Sequence, residues 1–273
     1  RRAVAAAAAA FAFAATSIGA DASAGADGAG AAAAGAAGAA MAEAASKLPR
    51  PRAIVIISPH WDTEVPTVGN AERLSTIHDF YGFPAELYQI QYPVKGHPAF
   101  AREAANLLQK AGIDALLNAS RGLDHGAWVP LRVMYPDADI PVLQLSMPTH
   151  DPVKLLSLGA RLRSLREEGV LVIGSGFMTH GLPYIRDWRT DAQAPGWSSD
   201  FDLWAAEALA AGDLDTLIDY RNSAPGMPYA HPTVEHFTPL FISLGAATRP
   251  DAAIDTKIDG YFMGLAKRSF EVG

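Results

Sequence analysis

Two apolar runs constrain this chain more than anything else in it. Ala53-Ile54-Val55-Ile56-Ile57 is β-branched, lies between Pro51 and Pro59, and predicts a strand buried on both faces. Val170-Leu171-Val172-Ile173-Gly174-Ser175-Gly176 predicts a second. Such strands need cover on both sides, and the intervening sequence supplies helical patterns. Pro98 to Ala111 reads as a helix, with proline at its start and Gly112 past its end. Asp151 to Glu168 reads as another, with Asp151 as N-cap and Gly169 as C-cap. Phe201 to Leu209, Leu214 to Tyr220 and Glu235 to Leu244 suggest three more, and Pro141 to Ser146 a further short strand. Gly122 to Trp128 reads as a glycine-flanked loop, and Ile77 to Pro84 as an aromatic, turn-rich loop packed over a cleft. Strands alternating with helices predict an α/β fold: a single domain with a central mixed, mostly parallel sheet covered by helices on both faces. No internal repeat is evident.

Both buried strands end in a histidine. Ser58-Pro59-His60-Trp61 follows the first and Thr179-His180 the second. In open α/β sheets the carboxyl ends of strands form the ligand crevice, so two imidazoles there can converge on a divalent metal. The chain has 8 histidines. His78, His97, His150 and His231 read as surface or hydrogen-bonded core residues. His236 sits beside Glu235 at the predicted start of a helix, and His125 lies between Asp124 and Gly126. An aspartate in that position is more often a solvated loop residue than an imidazole orienter.

The net charge of −7 argues against a nucleic-acid partner. Cysteine is absent, which leaves nitrogen and oxygen as metal ligands and removes thiol nucleophiles. No apolar run from Leu48 onward is long enough to span a bilayer. About half of residues 1–47 are alanine. Three readings apply to this segment: unidentified side chains written as alanine, natural low-complexity sequence, or an export signal. Arg1-Arg2 and Ala22-Ser23-Ala24 resemble a twin-arginine signal and its cleavage site. The expected location is cytoplasmic, with export as the alternative if that signal is real.

The segments from Leu48 to the end carry a family resemblance. Leu48 to Val55 with Ser58-Pro59-His60-Trp61, and Ile77-His78-Asp79-Phe80-Tyr81-Gly82-Phe83-Pro84, resemble the opening of class III extradiol ring-cleavage dioxygenases of the DOPA 4,5-dioxygenase-like branch. Leu123-Asp124-His125-Gly126-Ala127-Trp128, Tyr135 to Val142, Gly174-Ser175-Gly176 with His180, and Glu235-His236 with Pro239-Leu240 match in order and spacing. The catalytic β subunit of protocatechuate 4,5-dioxygenase is similar more distantly. The resemblance assigns a catalytic domain to residues 48–273.

It implies a mononuclear Fe(II) site, which zinc could also fill, opening a catechol-type ring with dioxygen to a semialdehyde. Metal ligands fall on His60 and His236, with His180 in the same pocket as ligand or general base. His125 lines the substrate pocket and is the second candidate for proton transfer. Trp61, Tyr184 and Glu235 are further substrate-binding candidates, and Glu235 competes with His236 for the third ligand position of more distant members. The family also has a ligand histidine near the N-terminus, at a spacing that lands near Gly25; no histidine precedes His60 here. Partners are a small catechol and dioxygen, with no nucleic acid and no membrane, and a homo-oligomer is compatible. Alternative functions are a zinc-dependent hydrolase and a non-enzymatic, Memo-like binding module.

Overall fold

Ala53, Val55 and Ile57 face one side of their strand, Ile54 and Ile56 the other, and none is more than 1% exposed. Each large side chain buried this way contributes about 2 kcal/mol. The computed structural model describes residues 5–9 and 28–273, with side chains from residue 38 onward except Asp255. In chain order the strands are β1 (Ala5–Ala9), β2 (Ala53–Asp62), β3 (Thr67–Gly69), β4 (Leu116–Asn118), β5 (Val142–Met147), β6 (Val170–Gly176), β7 (Asp255–Ile258), β8 (Tyr261–Phe262), β9 (Leu265–Ala266) and β10 (Ser269–Val272). The helices are α1 (Gly28–Lys47), α2 (Pro98–Lys110), α3 (His125–Met134), α4 (Pro152–Glu167), α5 (Gly196–Ala211), α6 (Leu214–Ile218), α7 (Tyr220–Ser223) and α8 (Pro239–Ala246).

Eight strands form one sheet in the order β4-β3-β5-β2-β6-β1-β10-β7, and β8 pairs with β9 separately. The central strands β5, β2, β6 and β1 run parallel, while the β1–β10, β10–β7 and β3–β5 pairings are antiparallel. The fold is thus a single α/β domain with a mixed, mostly parallel sheet. On one face α2, α4 and α8 pack against Val55, Ile57, Val170 and Val172. On the other, α1 and α3 cover Ile54, Ile56, Leu171 and Ile173. The alanine-rich segment contributes β1 to the sheet between β6 and β10 and places α1 against α3.

Among the differences from the sequence reading, three bear on the site. The predicted loop at 122–128 turns at His125 into helix α3, which contains Pro130. Gly126, Val129 and Pro130 all disfavour a helix, and tertiary burial of all but two of its residues overrides them. The last helix starts at Pro239 rather than Glu235, because proline fits its first position, where no N–H is needed. Glu235 and His236 therefore lie in the preceding turn. The β2 strand also continues past Pro59 to Asp62.

Candidate active site

Pro59 has no N–H to donate, and the β2–β5 register breaks between Ile57 and Asp62. This bulge delivers His60 to the carboxyl edge of the sheet. The β6 strand ends in Gly176, where a Cβ would lie 2.2 Å from the His236 carbonyl oxygen. The bare glycine lets the His236 turn close on the strand, and Phe177 N–H donates to that same oxygen at 2.8 Å. His180 follows β6 and is held by its own N–H to the Ala230 carbonyl at 2.8 Å. His125 opens α3 beside His60; a Cβ at Gly126 would sit 2.3 Å from Ser58 Oγ and 3.0 Å from His60 Cδ2.

The four rings form a continuous row. Centroids of His125 and His60 are 4.0 Å apart, those of His60 and His236 5.2 Å with the planes at 78°, and those of His236 and His180 3.5 Å and nearly parallel. The Nε2 atoms of His60, His125 and His236 are fully buried. Carboxylates stand behind the other nitrogens. His125 Nδ1 lies 2.8 Å from Asp79 Oδ1 and His236 Nδ1 3.1 Å from Glu235 Oε1. His60 Nδ1 is 3.6 Å from Asp79 Oδ2. Ionised carboxylates only accept, so the His125 and His236 rings carry their proton on Nδ1 and present the Nε2 lone pair forward. Among the described residues, ligand atoms of His60, Asp79 and His125 lie within 4.8 Å of one another, a His-His-Asp cluster able to hold a metal.

Electrostatics agree with that protonation. Burial works to raise the Asp79 carboxyl, but hydrogen bonds from the His125 ring and backbone outweigh it and leave it below its usual range. Burial likewise opposes ionisation of Glu235, yet hydrogen bonds from His236, its own backbone and Thr233 hold it at about 2. Burial, then the neighbouring His236, pushes His60 down. Burial pushes His125 down against the pull of Asp79, and drives His180 well below the ordinary imidazole value.

Asp124 is not the solvated loop residue that its position suggests: it is 0% exposed. Its carboxylate accepts from Ser58 Oγ at 2.6 Å, from Arg121 at 3.0 Å and from Gln144 Nε2. Arg121 also donates to the His60 carbonyl at 3.1 Å and lies over the Trp61 ring at 5.0 Å. This buried network fastens β2, β5 and the start of α3 beneath the histidine row. Trp61 is itself buried. Tyr184 lies in a short 3-10 turn after His180, edge-on to Tyr229.

The remaining histidines have local partners. His97 caps α2 by accepting from Phe100 N–H, and the Nε2 atoms of His78 and His231 bond the carbonyls of Ile90 and Met178. His150 bridges Asp62 and Thr238 at 3.1 Å each. Sequence reasoning singled out His60, His125, His180 and His236 but missed Asp79 and Asp124. Asp79 stood in a quoted motif, but no spacing rule connects it to a ring 46 residues later. The expected N-terminal histidine position near Gly25, the twin-arginine pair and the cleavage-like Ala22-Ser23-Ala24 lie outside the described residues.

The family described as the catalytic LigB subunit of aromatic ring-opening dioxygenase matches residues 31–262. The chain belongs to this family. It is accordingly an extradiol aromatic ring-opening dioxygenase, acting on a small aromatic molecule and dioxygen. A 4,5-DOPA dioxygenase extradiol from Beta vulgaris is 43% identical over 228 residues, covering 81% of this chain and 83% of that one. The Escherichia coli K12 protein of the same description is 37% identical over 231 residues, covering 83% and 84%. A crystal structure of an uncharacterized Escherichia coli K12 protein, JW3007, superposes on this dioxygenase with a TM-score of 0.73 at 32% identity, covering 86% of this chain and 92% of that one. Among the described residues, no helix is long and apolar enough to cross a membrane.

Proposed function

We propose that this dioxygenase uses Fe(II) to open the ring of a catechol-type substrate to a semialdehyde, with DOPA the first compound to test because relatives carry that name. The proposed catalytic domain covers residues 48–273, with β1 and α1 completing its sheet and its helical cover. The observation that carries the reading is the row of four imidazoles at the carboxyl edge of the sheet.

The donor set fits a transition metal. His236 Nε2 is fully buried and has no hydrogen-bond partner, a cost of about 1–3 kcal/mol that ligation removes. With His60 nearly perpendicular to it, nitrogen donors approach from two directions. His60 and His236 are therefore the proposed protein ligands, and zinc would fit the same nitrogens. When bound, ferrous iron supplies positive charge that favours the deprotonated diol, and an open face for it and dioxygen.

The chain's own side chains do the rest. His180 stacks on His236 at the end of the row and is proposed as the base that takes the diol proton. His125, backed by Asp79, accepts or returns a proton on the other side of the row. Tyr184 is proposed to flank the substrate ring, Glu235 to act on it through the His236 ring that it backs, and Trp61 from behind through the Arg121 that it carries. The test is anaerobic reconstitution with Fe(II), followed by mixing with DOPA or another catechol in air. Yellow semialdehyde absorbance is the expected result. Its absence, with zinc-dependent ester or amide hydrolysis instead, would overturn the reading.

A further inference from the structure

Asp79 stands behind two imidazoles at once. Its Oδ1 accepts from the His125 backbone N–H at 2.9 Å and lies 2.8 Å from the His125 ring nitrogen. Its Oδ2 faces His60 Nδ1 at 3.6 Å. The loop that carries it is fastened on both sides. Ile77 N–H donates to the Leu123 carbonyl at 2.8 Å, the Trp128 indole donates back to the Ile77 carbonyl at 2.9 Å, and His78 bonds the Ile90 carbonyl at 2.9 Å. Phe80, next in sequence, is buried edge-on to the His125 ring. The carboxylate is therefore placed by its neighbours rather than by the two rings alone.

We propose that Asp79 is a positioning residue that orients His125 and His60 together, so that both rings turn Nε2 away from it, toward substrate and metal. This rests on the proposed function above. A direct ligand role for Asp79 is the competing reading, since its oxygens lie among the His60 and His125 donor atoms. Oδ1, however, already receives two N–H groups from His125, which leaves only Oδ2, beside His60 Nδ1, to reach an ion.

The chemistry makes a sharp demand. A carboxylate offers acceptors on both oxygens, whereas an amide of the same shape offers one acceptor and one donor. Whichever way the amide of Asp79→Asn turns, its NH₂ meets one of the two Nδ1 atoms. Toward His125, 2.8 Å away, that NH₂ forces the ring to carry its proton on Nε2, where it no longer presents a lone pair; toward His60, 3.6 Å away, it replaces attraction for an Nδ1 proton with repulsion.

Two measurements on the full chain test this: ¹⁵N spectra of the histidine rings, and zinc affinity by competition with a chromophoric chelator. In the wild type His125 is expected to be protonated on Nδ1, and to remain so when zinc is added. Asp79→Asn is expected to shift one of the two rings to the Nε2-protonated form and to weaken zinc binding by about ten- to a hundredfold. Wild-type affinity with unchanged tautomers in Asp79→Asn would overturn the proposal. So would an Nε2-protonated His125 in the wild type, a result that needs no variant to fold. Loss of the His125 Nδ1 proton on zinc loading would show the carboxylate moving to the ion and would also overturn it. Neither readout requires turnover, so a failure to cleave any catechol counts against the proposed function alone.

Discussion

The imidazole of His180 lies flat on that of His236, with centroids 3.5 Å apart and planes 13° from parallel. Lone pairs of imidazole nitrogens lie in the ring plane, so two stacked rings send theirs side by side. One cation cannot meet both without leaving at least one plane. His60 stands edge-on to His236 and has no such conflict. His60→Ala and His236→Ala are expected to lose bound iron, measured as metal content of the purified protein. His180→Ala is expected to keep its iron and to lose turnover by about 10²–10⁴-fold. A metal-free His180→Ala would make His180 a ligand.

Asp124→Ala should be the most destabilising of the single changes beneath the site. It removes a fully buried carboxylate and strands Arg121, Ser58 and Gln144. Breaking a buried pair from one side costs about 3–5 kcal/mol. Urea titration against the wild type reads it; a change under 1 kcal/mol would show that solvent reaches the network.

Gly176→Ala and Gly126→Ala separate two kinds of crowding. At Gly176 the obstacle is the His236 carbonyl, part of a backbone hydrogen bond, whereas at Gly126 it is the Ser58 hydroxyl and the His60 ring edge. Rotating the Ser58 hydroxyl gives up its bond to Asp124 but moves no backbone. Gly176→Ala is expected to cost about 3 kcal/mol and Gly126→Ala about 1 kcal/mol. Thermal unfolding gives the order, and the reverse order would contradict the close approach at Gly176.

Acid should weaken the fold through His231. Burial, opposed by its bond to the Met178 carbonyl, takes this imidazole from 6.5 to about 3. The folded-state value lies below the unfolded one, so the unfolded chain binds the proton first. Stability from this group is whole above pH 6.5 and drains away as pH falls toward 3. Between pH 7 and 5 the loss is about 2 kcal/mol. His231→Gln is expected to flatten that limb in urea titrations at the two pH values; an equally steep limb would assign the acid sensitivity elsewhere.

The strands at the centre were legible because their burial needs no partner to be recognised: Ile54 to Ile57 and Val170 to Ile173 are apolar in both side-chain registers. His60 and His180 followed from those strands, and His125 and His236 from the family resemblance. Helix α3 was hidden because Gly126 and Pro130 speak against a helix locally, while the burial that decides the matter is long-range. Asp79 and Asp124 were hidden for a related reason. A carboxylate's role depends on which donors surround it, and Ser58 lies 66 positions from Asp124 in the chain.

The unbroken ring-to-ring contact from His125 to His180 has a consequence for anyone re-engineering substrate preference. Shaving a ring at one end frees its neighbour to tilt, and that neighbour touches the next. Paired substitutions at the two ends should therefore give effects that differ from the sum of the single ones. Variants must be built and judged in combination, because a tolerant outcome for each alone does not forecast the double.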